Sequence, residues 1–515
     1  MALGSTLGAR YSEHVVTLKK NPVEVSATSS SSPHGRARHL ATAVGSLATG
    51  EVLGKVATLV TFAWSARLLG LDEFGLFTYA LGIGTLLATI PSLGLEARLI
   101  QLTGRDPRLL NEYLGPLMVV RLVLTVAAFG AAVPFVLARD STSARLTIVL
   151  MVSAAVIDVM TDAQRSACVV LEQQQATAAV TVFQRALTLV AALVLLTISP
   201  STVSLAVAFN VAGLAACTAM TLLARRHGAR TEFRRVTWGK TKTILRAAPV
   251  MGVNEIVGEA VTRIDVILIQ MILGDAAVGV YGVAYRLMET ALFITWSVGH
   301  ALAPDLVRAK DRDALGRTVG VGVVLMFVVY LPYGAVLATR GQDLVDLLFG
   351  SGYQAGALLV CLAPAPLVFG LGQLARKALF ARSPTPVVPI ATALALVINI
   401  AMNWMLLASG GLVWAAIAKT TAYAVQMFVM WALLVTVARV HGVVRGVAVA
   451  VGATAVSVLL LTSGLPLVPA LLSAGAAYGL VWILLTRRFD PVMAQRIRVL
   501  RGGRHTDGRE LEHAA

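Results

Sequence analysis

The sequence predicts an all-α, polytopic membrane protein of about 14 transmembrane helices, arranged as two parallel six-helix repeats plus a C-terminal helix pair. Composition, long apolar runs and an internal repeat are the three observations behind this prediction. Of the 515 residues, 57% are hydrophobic and 14% are charged, whereas a soluble domain has about 25% charged residues. Apolar runs of about 20 residues, the length that crosses a bilayer, recur along the chain.

The apolar runs and the basic residues between them together predict the topology. If the N-terminus lies inside, most Lys and Arg residues fall on the inner side, which is the usual bias of cytoplasmic loops. The outer loops then carry only Arg67, Arg139, Arg145 and Arg340, so both termini are predicted to be cytoplasmic. The predicted spans lie near 41–66, 74–95, 114–138, 146–170, 174–198, 201–223, 245–272, 277–300, 316–338, 355–379, 386–407, 411–436, 443–462 and 466–486.

An ungapped internal repeat relates the first span to the seventh. With a shift of 204 residues, GEVLGKVATLV from Gly50 lies over NEIVGEAVTRI from Asn254, and LLGLDEFGLFTYA from Leu68 lies over ILGDAAVGVYGVA from Ile272. Six crossings separate the two spans, so the halves run in the same direction, related by an axis along the membrane normal. The paired glycines 70/75 and 274/279 are predicted to form tight outer corners.

The repeat and the changes of composition predict the domain boundaries. The net charge of +16 is assigned to cytoplasmic loops and tails rather than to a nucleic-acid site. The predicted segments are a disordered N-terminal tail (1–40), a first six-helix bundle (41–223), a basic cytoplasmic linker (224–243), a second six-helix bundle (244–436), an extra transmembrane helix pair (437–486) and a basic cytoplasmic tail (487–515).

The seventh and eighth spans carry an unusual number of charges for membrane helices. Glu255, Glu259 and Arg263 are four residues apart and therefore stack along one helical face, while Arg286 and Glu289 follow in the next span. A charge at the bilayer centre costs about 2.5–3.5 kcal/mol on insertion scales, so these side chains are expected to face a protein interior or water. The default interpretation of such a cluster is a functional site.

Motifs for enzymatic chemistry are missing from the sequence. The stretch GIGTLL at Gly82 lacks the lysine of a nucleotide-binding loop, and no metal constellation or nucleophile–base pair is evident. Cys168, Cys217 and Cys361 stand singly in apolar runs. We therefore expect no cofactor, no metal and no nucleic-acid partner, although a membrane-embedded transferase stays open.

Several stretches resemble polysaccharide-type flippases of the multidrug/oligosaccharidyl-lipid/polysaccharide exporter superfamily. They are ARLLGLDEFGLFTYA from Ala66, the central stretch with Asp265, GDAAVGVYGVAYRL and Pro304, and LLFGSGYQAGA from Leu347. The resemblance covers roughly residues 41–436 and continues through the last two spans. It implies two six-helix bundles, alternating access and transport of undecaprenyl-linked sugars across the bacterial plasma membrane. In the related lipid II flippases, the last helix pair forms a groove for the lipid tail.

For such a substrate, Arg and Lys side chains in a cavity would replace the lost hydration of a lipid diphosphate. The alternative is that Glu51 with Lys55, and Glu259 with Arg263, are i,i+4 pairs that only stabilise helices. Two further charged residues, Arg121 and Lys419, are expected to snorkel to an interface. The substrate-binding candidates are Lys55, Arg185, Arg263 and Arg286, and the charge-balancing or ion-coupling candidates are Glu51, Glu255, Glu259, Asp265 and Glu289.

Two classes of transporter remain open from the sequence. One is a flippase for an undecaprenyl-diphosphate-linked oligosaccharide, with membrane lipid, glycosyltransferases and a polysaccharide polymerase as expected partners. The other is a cation-coupled exporter of drugs or metabolites from the same superfamily. The basic interior and the extra apolar pair favour the flippase, and a non-transporting relative is a third, weaker alternative.

Overall fold

The computed structural model describes residues 33–489 except 105, 247 and 383–386, and side chains from 53 to 488 with further gaps at 235, 248–251 and 387. All regular structure in these ranges is helical, which confirms the predicted all-α class. The chain divides into two compact units, residues 1–47 and 48–515. In its described part, the first unit consists of the opening turns of a long helix, and the packing below concerns the second unit.

Seventeen α-helices and two short 3₁₀ helices make up the described residues. The 3₁₀ helices are Pro107–Leu109 and Phe233–Arg235. The α-helices are α1 (Pro33–Ser92), α2 (Leu95–Thr103), α3 (Leu110–Leu137), α4 (Thr142–Val170), α5 (Gln174–Ile198), α6 (Thr202–Arg226), α7 (Trp238–Leu245), α8 (Ala248–Leu273), α9 (Asp275–Thr290), α10 (Phe293–Arg308), α11 (Arg312–Phe349), α12 (Gly356–Leu362), α13 (Ala365–Arg382), α14 (Val387–Gly410), α15 (Leu412–Val437), α16 (Val443–Leu461) and α17 (Leu467–Phe489).

Twelve stretches of the described residues are long and apolar enough to cross a membrane. One of them, Leu53–Thr103, covers the second predicted span and residues 53–66 of the first, because α1 bends at Gly70 and returns. The seventh predicted span is α8, which is 26 residues long but richer in charge than the other spans. Each of the fourteen predicted spans therefore has a helical counterpart, and the chain is a multi-pass membrane protein.

The two glycines that the repeat aligns have the same backbone conformation. Gly70 has φ 75° and ψ −175°, and Gly274 has φ 84° and ψ −176°. This positive-φ region is open to glycine and strained for other residues, so a helix can turn sharply there. Both halves thus open with a helical hairpin whose corner is a glycine, as the sequence predicts.

Gly75 and Gly279 do not belong to these corners, so that part of the prediction is wrong. Each lies in a helix, and there the second arm of α1 crosses α9. A Cβ on Gly75 would overlap the carbonyl oxygen of Asp275, and a Cβ on Gly279 would overlap that of Leu71. Positions 71 and 275 are also equivalent in the repeat, so the two halves meet at a symmetric crossing that only glycine permits.

Helices pack mainly within each half. The most extensive helix–helix contacts of the first half are α4/α6 and α5/α6, and those of the second half are α14/α15, α13/α15 and α8/α14. The last pair, α16 and α17, packs on itself and on α11. The Arg340 guanidinium donates to the carbonyls of Leu461 (2.6 Å) and Leu465 (3.0 Å), and so ties the loop of this pair to α11.

Candidate functional site

We call the two ends of the helical bundle the Gly70 end, where α1 bends, and the Leu93 end, which follows the last residue of α1. The Gly70 end also carries Gly274 and the loop 350–355, and the Leu93 end also carries the loops 171–173 and 309–311. In α8 and α9, Arg263 lies 11 residues before Gly274 and Arg286 lies 12 residues after it. At 1.5 Å per residue both lie about 17 Å from that end, near the middle of a hydrocarbon layer about 30 Å thick.

Four charged side chains from α8 and α9 form a connected cluster at this depth. Arg263 donates from Nε to Glu259 (3.0 Å) and from Nη2 to Glu289 (3.2 Å). Arg286 donates from Nη1 to the other oxygen of Glu289 (2.5 Å). The arginine side chains are each 14% exposed and the two glutamates 29% and 25%, so the cluster is half-buried and still reachable. We call these four residues the central cluster.

The first half of the chain contributes the opposite wall. The Arg286 guanidinium lies 3.8 Å from the centre of the Phe62 ring, a cation–π contact between the two halves. Lys55 lies within range of an attractive charge interaction with Glu289, and Arg185 lies within range of a repulsive one with Arg286. Arg185 also lines a small cavity with Thr58, Thr61, Thr188 and Phe209. The structure therefore brings all four binding candidates to one region.

Other candidates from the sequence lie elsewhere. Glu255 does not bond Arg263 but accepts a hydrogen bond from the Ser92 hydroxyl (2.5 Å), nearer the Leu93 end. Next to it, the Leu93 side chain packs against Gly252, so the two halves touch at that end as well. Glu51 lies in α1, but its side chain is outside the described residues.

Asp265 and Lys419 form a fully buried ion pair behind the central cluster. Both side chains are 0% exposed. The Lys419 ammonium also donates to the carbonyls of Val261 (2.8 Å) and Thr262 (2.9 Å), while the Tyr281 hydroxyl donates to Asp265 (3.0 Å). The ammonium has three hydrogen-bond donors, and one oxygen of Asp265 and the carbonyl oxygens of Val261 and Thr262 accept from all three. The prediction that Lys419 snorkels is therefore wrong.

Arg121 is buried in the same way in the first half. Its guanidinium is 0% exposed, and it pairs with Glu96 and donates to the Val159 carbonyl. The expected snorkelling of Arg121 is also wrong, because the carboxylate and the carbonyl accept hydrogen bonds from its two terminal nitrogens inside the bundle. Neither partner could be identified from sequence spacing, since they lie 25 and 38 residues away.

At the Gly70 end, polar contacts join the two halves, and two of the predicted outer-loop arginines, Arg67 and Arg139, take part in them. Arg139 donates two parallel hydrogen bonds of 2.8 Å to the carboxylate of Asp275, the first residue of α9. The Arg67 Nε donates to the Leu348 carbonyl (2.9 Å), and the Tyr353 hydroxyl donates to that of Ala66 (2.7 Å). Together with the Gly75–Gly279 crossing, these contacts close the Gly70 end.

Chemically, this arrangement favours an anion. Two arginines of the second half bond two carboxylates about midway through the bundle, and a lysine and an arginine of the first half lie within electrostatic range of this cluster. Within the described ranges, no group of three His, Cys, Asp or Glu side chains is placed to hold a metal ion. A planar guanidinium can bind phosphate oxygens with two parallel hydrogen bonds, which an ammonium cannot do.

Comparisons with known proteins give a family model, one curated relative and several solved structures. The model described as "Polysaccharide biosynthesis protein" matches residues 40–310. The probable low-salt glycan biosynthesis flippase Agl15 of Haloferax volcanii is 21% identical over 200 residues, which are 38% of this chain and 42% of that protein. The chain thus aligns with less than half the length of this relative.

The structural likenesses extend further along the chain. The lipid II flippase MurJ, in an inward closed conformation, superposes with a TM-score of 0.69 at 10% identity, covering 87% of this chain and 99% of that one. An inward-facing multidrug resistance transporter of the MATE family superposes with a TM-score of 0.61 at 15% identity, covering 74% and 94%. At these identities the likeness is one of fold.

Proposed function

We propose a flippase function from one premise: this chain belongs to the polysaccharide biosynthesis protein family, and its fold is that of transporters in the superfamily that its sequence resembles. The proposed substrate is an undecaprenyl-diphosphate-linked oligosaccharide that moves from the cytoplasmic to the outer leaflet. Alternating access between the two six-helix bundles, 41–223 and 244–436, would carry it. The observation that supports this best is the central cluster, a half-buried group of paired arginines at the depth of the membrane centre.

A diphosphate bears charge that an apolar layer does not solvate. In the proposed mechanism, Arg263 and Arg286 bind its oxygens from the second half, while Lys55 and Arg185 approach from the first. The lipid tail stays in the membrane beside α16 and α17, whose surfaces carry exposed apolar residues such as Leu459 and Leu472. Glycosyltransferases and a polysaccharide polymerase are the proposed partners on either side of this step.

The alternative is a cation-coupled exporter of drugs or metabolites, and the similarity of fold to a multidrug resistance transporter favours it. Its coupling groups would be carboxylates, of which Glu255, Glu259 and Glu289 are partly exposed. Asp265 is less suited to this role because Lys419 and Tyr281 share its Oδ2, and the Asn403 amide donates to its Oδ1 (3.4 Å). Export of glycan and efflux of drug are separate measurements, so one set of variants distinguishes the two functions.

The test of the proposed function is Arg263→Gln combined with Glu259→Gln, which removes both members of one ion pair. Because Glu289 keeps Arg286 as a partner, no unpaired carboxylate is left, and the protein should insert normally. We expect surface glycan in a strain lacking the gene to fall at least tenfold below the wild-type level, since one charge-assisted contact contributes about 1.5–3 kcal/mol. Arg263→Lys should also export poorly, because an ammonium cannot bind two oxygens in parallel.

Lys240→Gln with Glu112→Gln is the matched control. These residues form a similar pair (2.9 Å) between α7 and α3, away from the central cluster. Membrane abundance is measured for every variant, and ethidium efflux is measured in parallel. Full glycan export by a stably inserted Arg263 variant would overturn the binding role, and lost efflux with normal glycan would favour the drug exporter.

We also propose that the chain lies in the bacterial plasma membrane, that the Gly70 end faces outward and that both termini are cytoplasmic. Single cysteines test this orientation once Cys168, Cys217 and Cys361 are replaced. Gly352→Cys, in the loop 350–355, has open space around its Cβ and should react with an impermeant maleimide in intact cells. Arg230→Cys, in the loop after α6, should react only after permeabilisation, and the reverse pattern would contradict the orientation.

A further inference from the structure

Glu289 differs from Glu259, the other carboxylate of the central cluster, because it bonds two arginines at once. One oxygen accepts from Arg263 (3.2 Å) and the other from Arg286 (2.5 Å). Glu259 accepts from Arg263 alone, through Nε. The Glu289 carboxylate therefore occupies the position between two guanidinium groups in which an anion with several oxygens would be bound most strongly.

The fold itself does not require an acid at this position. With the repeat shift of 204 residues, Glu289 corresponds to Thr85, Arg286 to Gly82 and Arg263 to Leu59. Thr85 sits in an uninterrupted helix and bonds the Leu81 carbonyl of the preceding turn (3.0 Å). The first half thus builds the same hairpin without any of these charges, so the hairpin itself requires neither the acid nor the two arginines.

We infer that Glu289 is an internal counter-anion that occupies the position of the substrate diphosphate when no substrate is bound. The inference rests on the proposed function, because it assigns the two arginines to the diphosphate. In the empty protein Glu289 neutralises both guanidinium groups. An arriving diphosphate displaces the carboxylate, and the carboxylate rebinds the arginines when the diphosphate leaves. Glu289 thereby weakens binding and accelerates release.

The first consequence concerns affinity. An internal ligand lowers apparent affinity in proportion to the fraction of protein that is free to bind. In Glu289→Gln the neutral amide competes poorly, so inorganic pyrophosphate, a soluble diphosphate probe, should bind on the order of tenfold more tightly, which corresponds to about 1.4 kcal/mol. Binding is measured by calorimetry on the full chain in lipid nanodiscs.

The second consequence concerns turnover. Tighter binding slows release, so Glu289→Gln should reduce glycan export severalfold even though it binds the probe better. Glu289→Asp retains the charge and should recover most of the export. A purely structural role would lower affinity and export together, and therefore predicts the opposite sign for the pyrophosphate measurement.

Three comparisons complete the experiment. Glu259→Gln should tighten pyrophosphate binding less than Glu289→Gln does, because Glu259 bonds Arg263 alone, and Asp343→Asn should bind as the wild type does. Unchanged or weaker binding by a folded Glu289→Gln protein would overturn the counter-anion role alone. If Arg263→Gln and Arg286→Gln bind pyrophosphate as tightly as the wild type, the proposed diphosphate site itself fails.

Discussion

Replacing Lys419 with methionine is expected to destabilise the protein by about 3–5 kcal/mol, the usual cost of removing one partner of a buried ion pair. The carboxylate of Asp265 would lose its only cationic partner among the described residues and remain at 0% exposure. The hydroxyl of Tyr281 would still donate to it, but a neutral donor does not balance a buried charge. The measurement is the melting temperature of the detergent-solubilised protein.

The double variant Lys419→Met with Asp265→Asn should recover most of that loss. An uncharged pair of similar volume leaves no unpaired charge, and such replacements are often close to neutral in stability. Lys240→Met is the matched control. Lys240 pairs with Glu112 (2.9 Å) at the surface, and exposed pairs contribute about 0–1 kcal/mol. A Lys419→Met protein with the same melting temperature as the wild type would show that the buried pair does not stabilise the fold.

Much of the fold could be predicted because it repeats. An ungapped register over about 35 residues aligned Gly70 with Gly274, and the two glycines have nearly the same φ and ψ. Bilayer thickness sets the length of a membrane-spanning helix, and the excess of Lys and Arg in the inner loops sets the orientation of the spans. The positions of the spans therefore follow from local sequence. Gly75 and Gly279 were assigned to the corners because sequence alone does not distinguish a glycine that turns from one that permits a close crossing.

The candidate site was predictable only where its pairs are local. Glu259 and Arg263 are four residues apart, and Arg286 and Glu289 are three apart, so helical geometry brings each pair together. The link between the pairs, Arg263 to Glu289, spans 26 residues and depends on the hairpin at Gly274. The opposite charges of Asp265 and Lys419 in separate apolar runs were a usable signal for a buried pair, but spacing does not show which two residues meet.

Contacts between the halves were beyond prediction for a different reason. The bidentate pair of Arg139 and Asp275 joins two loop-end residues 136 positions apart. Its existence depends on how the two bundles are oriented, and under the proposed alternating access they adopt more than one orientation. A sequence must be compatible with all of these orientations, so no local pattern singles out the contacts of one.

Substitutions at the crossing of Gly75 and Gly279 are expected to prevent closure of the Gly70 end. Gly75→Ala and Gly279→Ala each place a Cβ on an opposing main-chain carbonyl, and a carbonyl of a helix cannot move aside as a flexible side chain can. Overpacking costs about 1–3 kcal/mol, and each 1.4 kcal/mol changes a population ratio about tenfold. We expect each variant to insert normally, to remain open at that end and to export at least about fivefold less glycan.

Spin labels at Asp72→Cys and Ala276→Cys, which are equivalent positions beside the crossing, report the opening directly. In a background without the natural cysteines, the distance between the labels should increase in both alanine variants. Because the crossing is symmetric, Gly75→Ala and Gly279→Ala should behave alike. Gly130→Ala is the control, since Gly130 lies in α3 with open space around its Cβ. Wild-type export and an unchanged label distance in Gly75→Ala would show that the two halves close without this crossing.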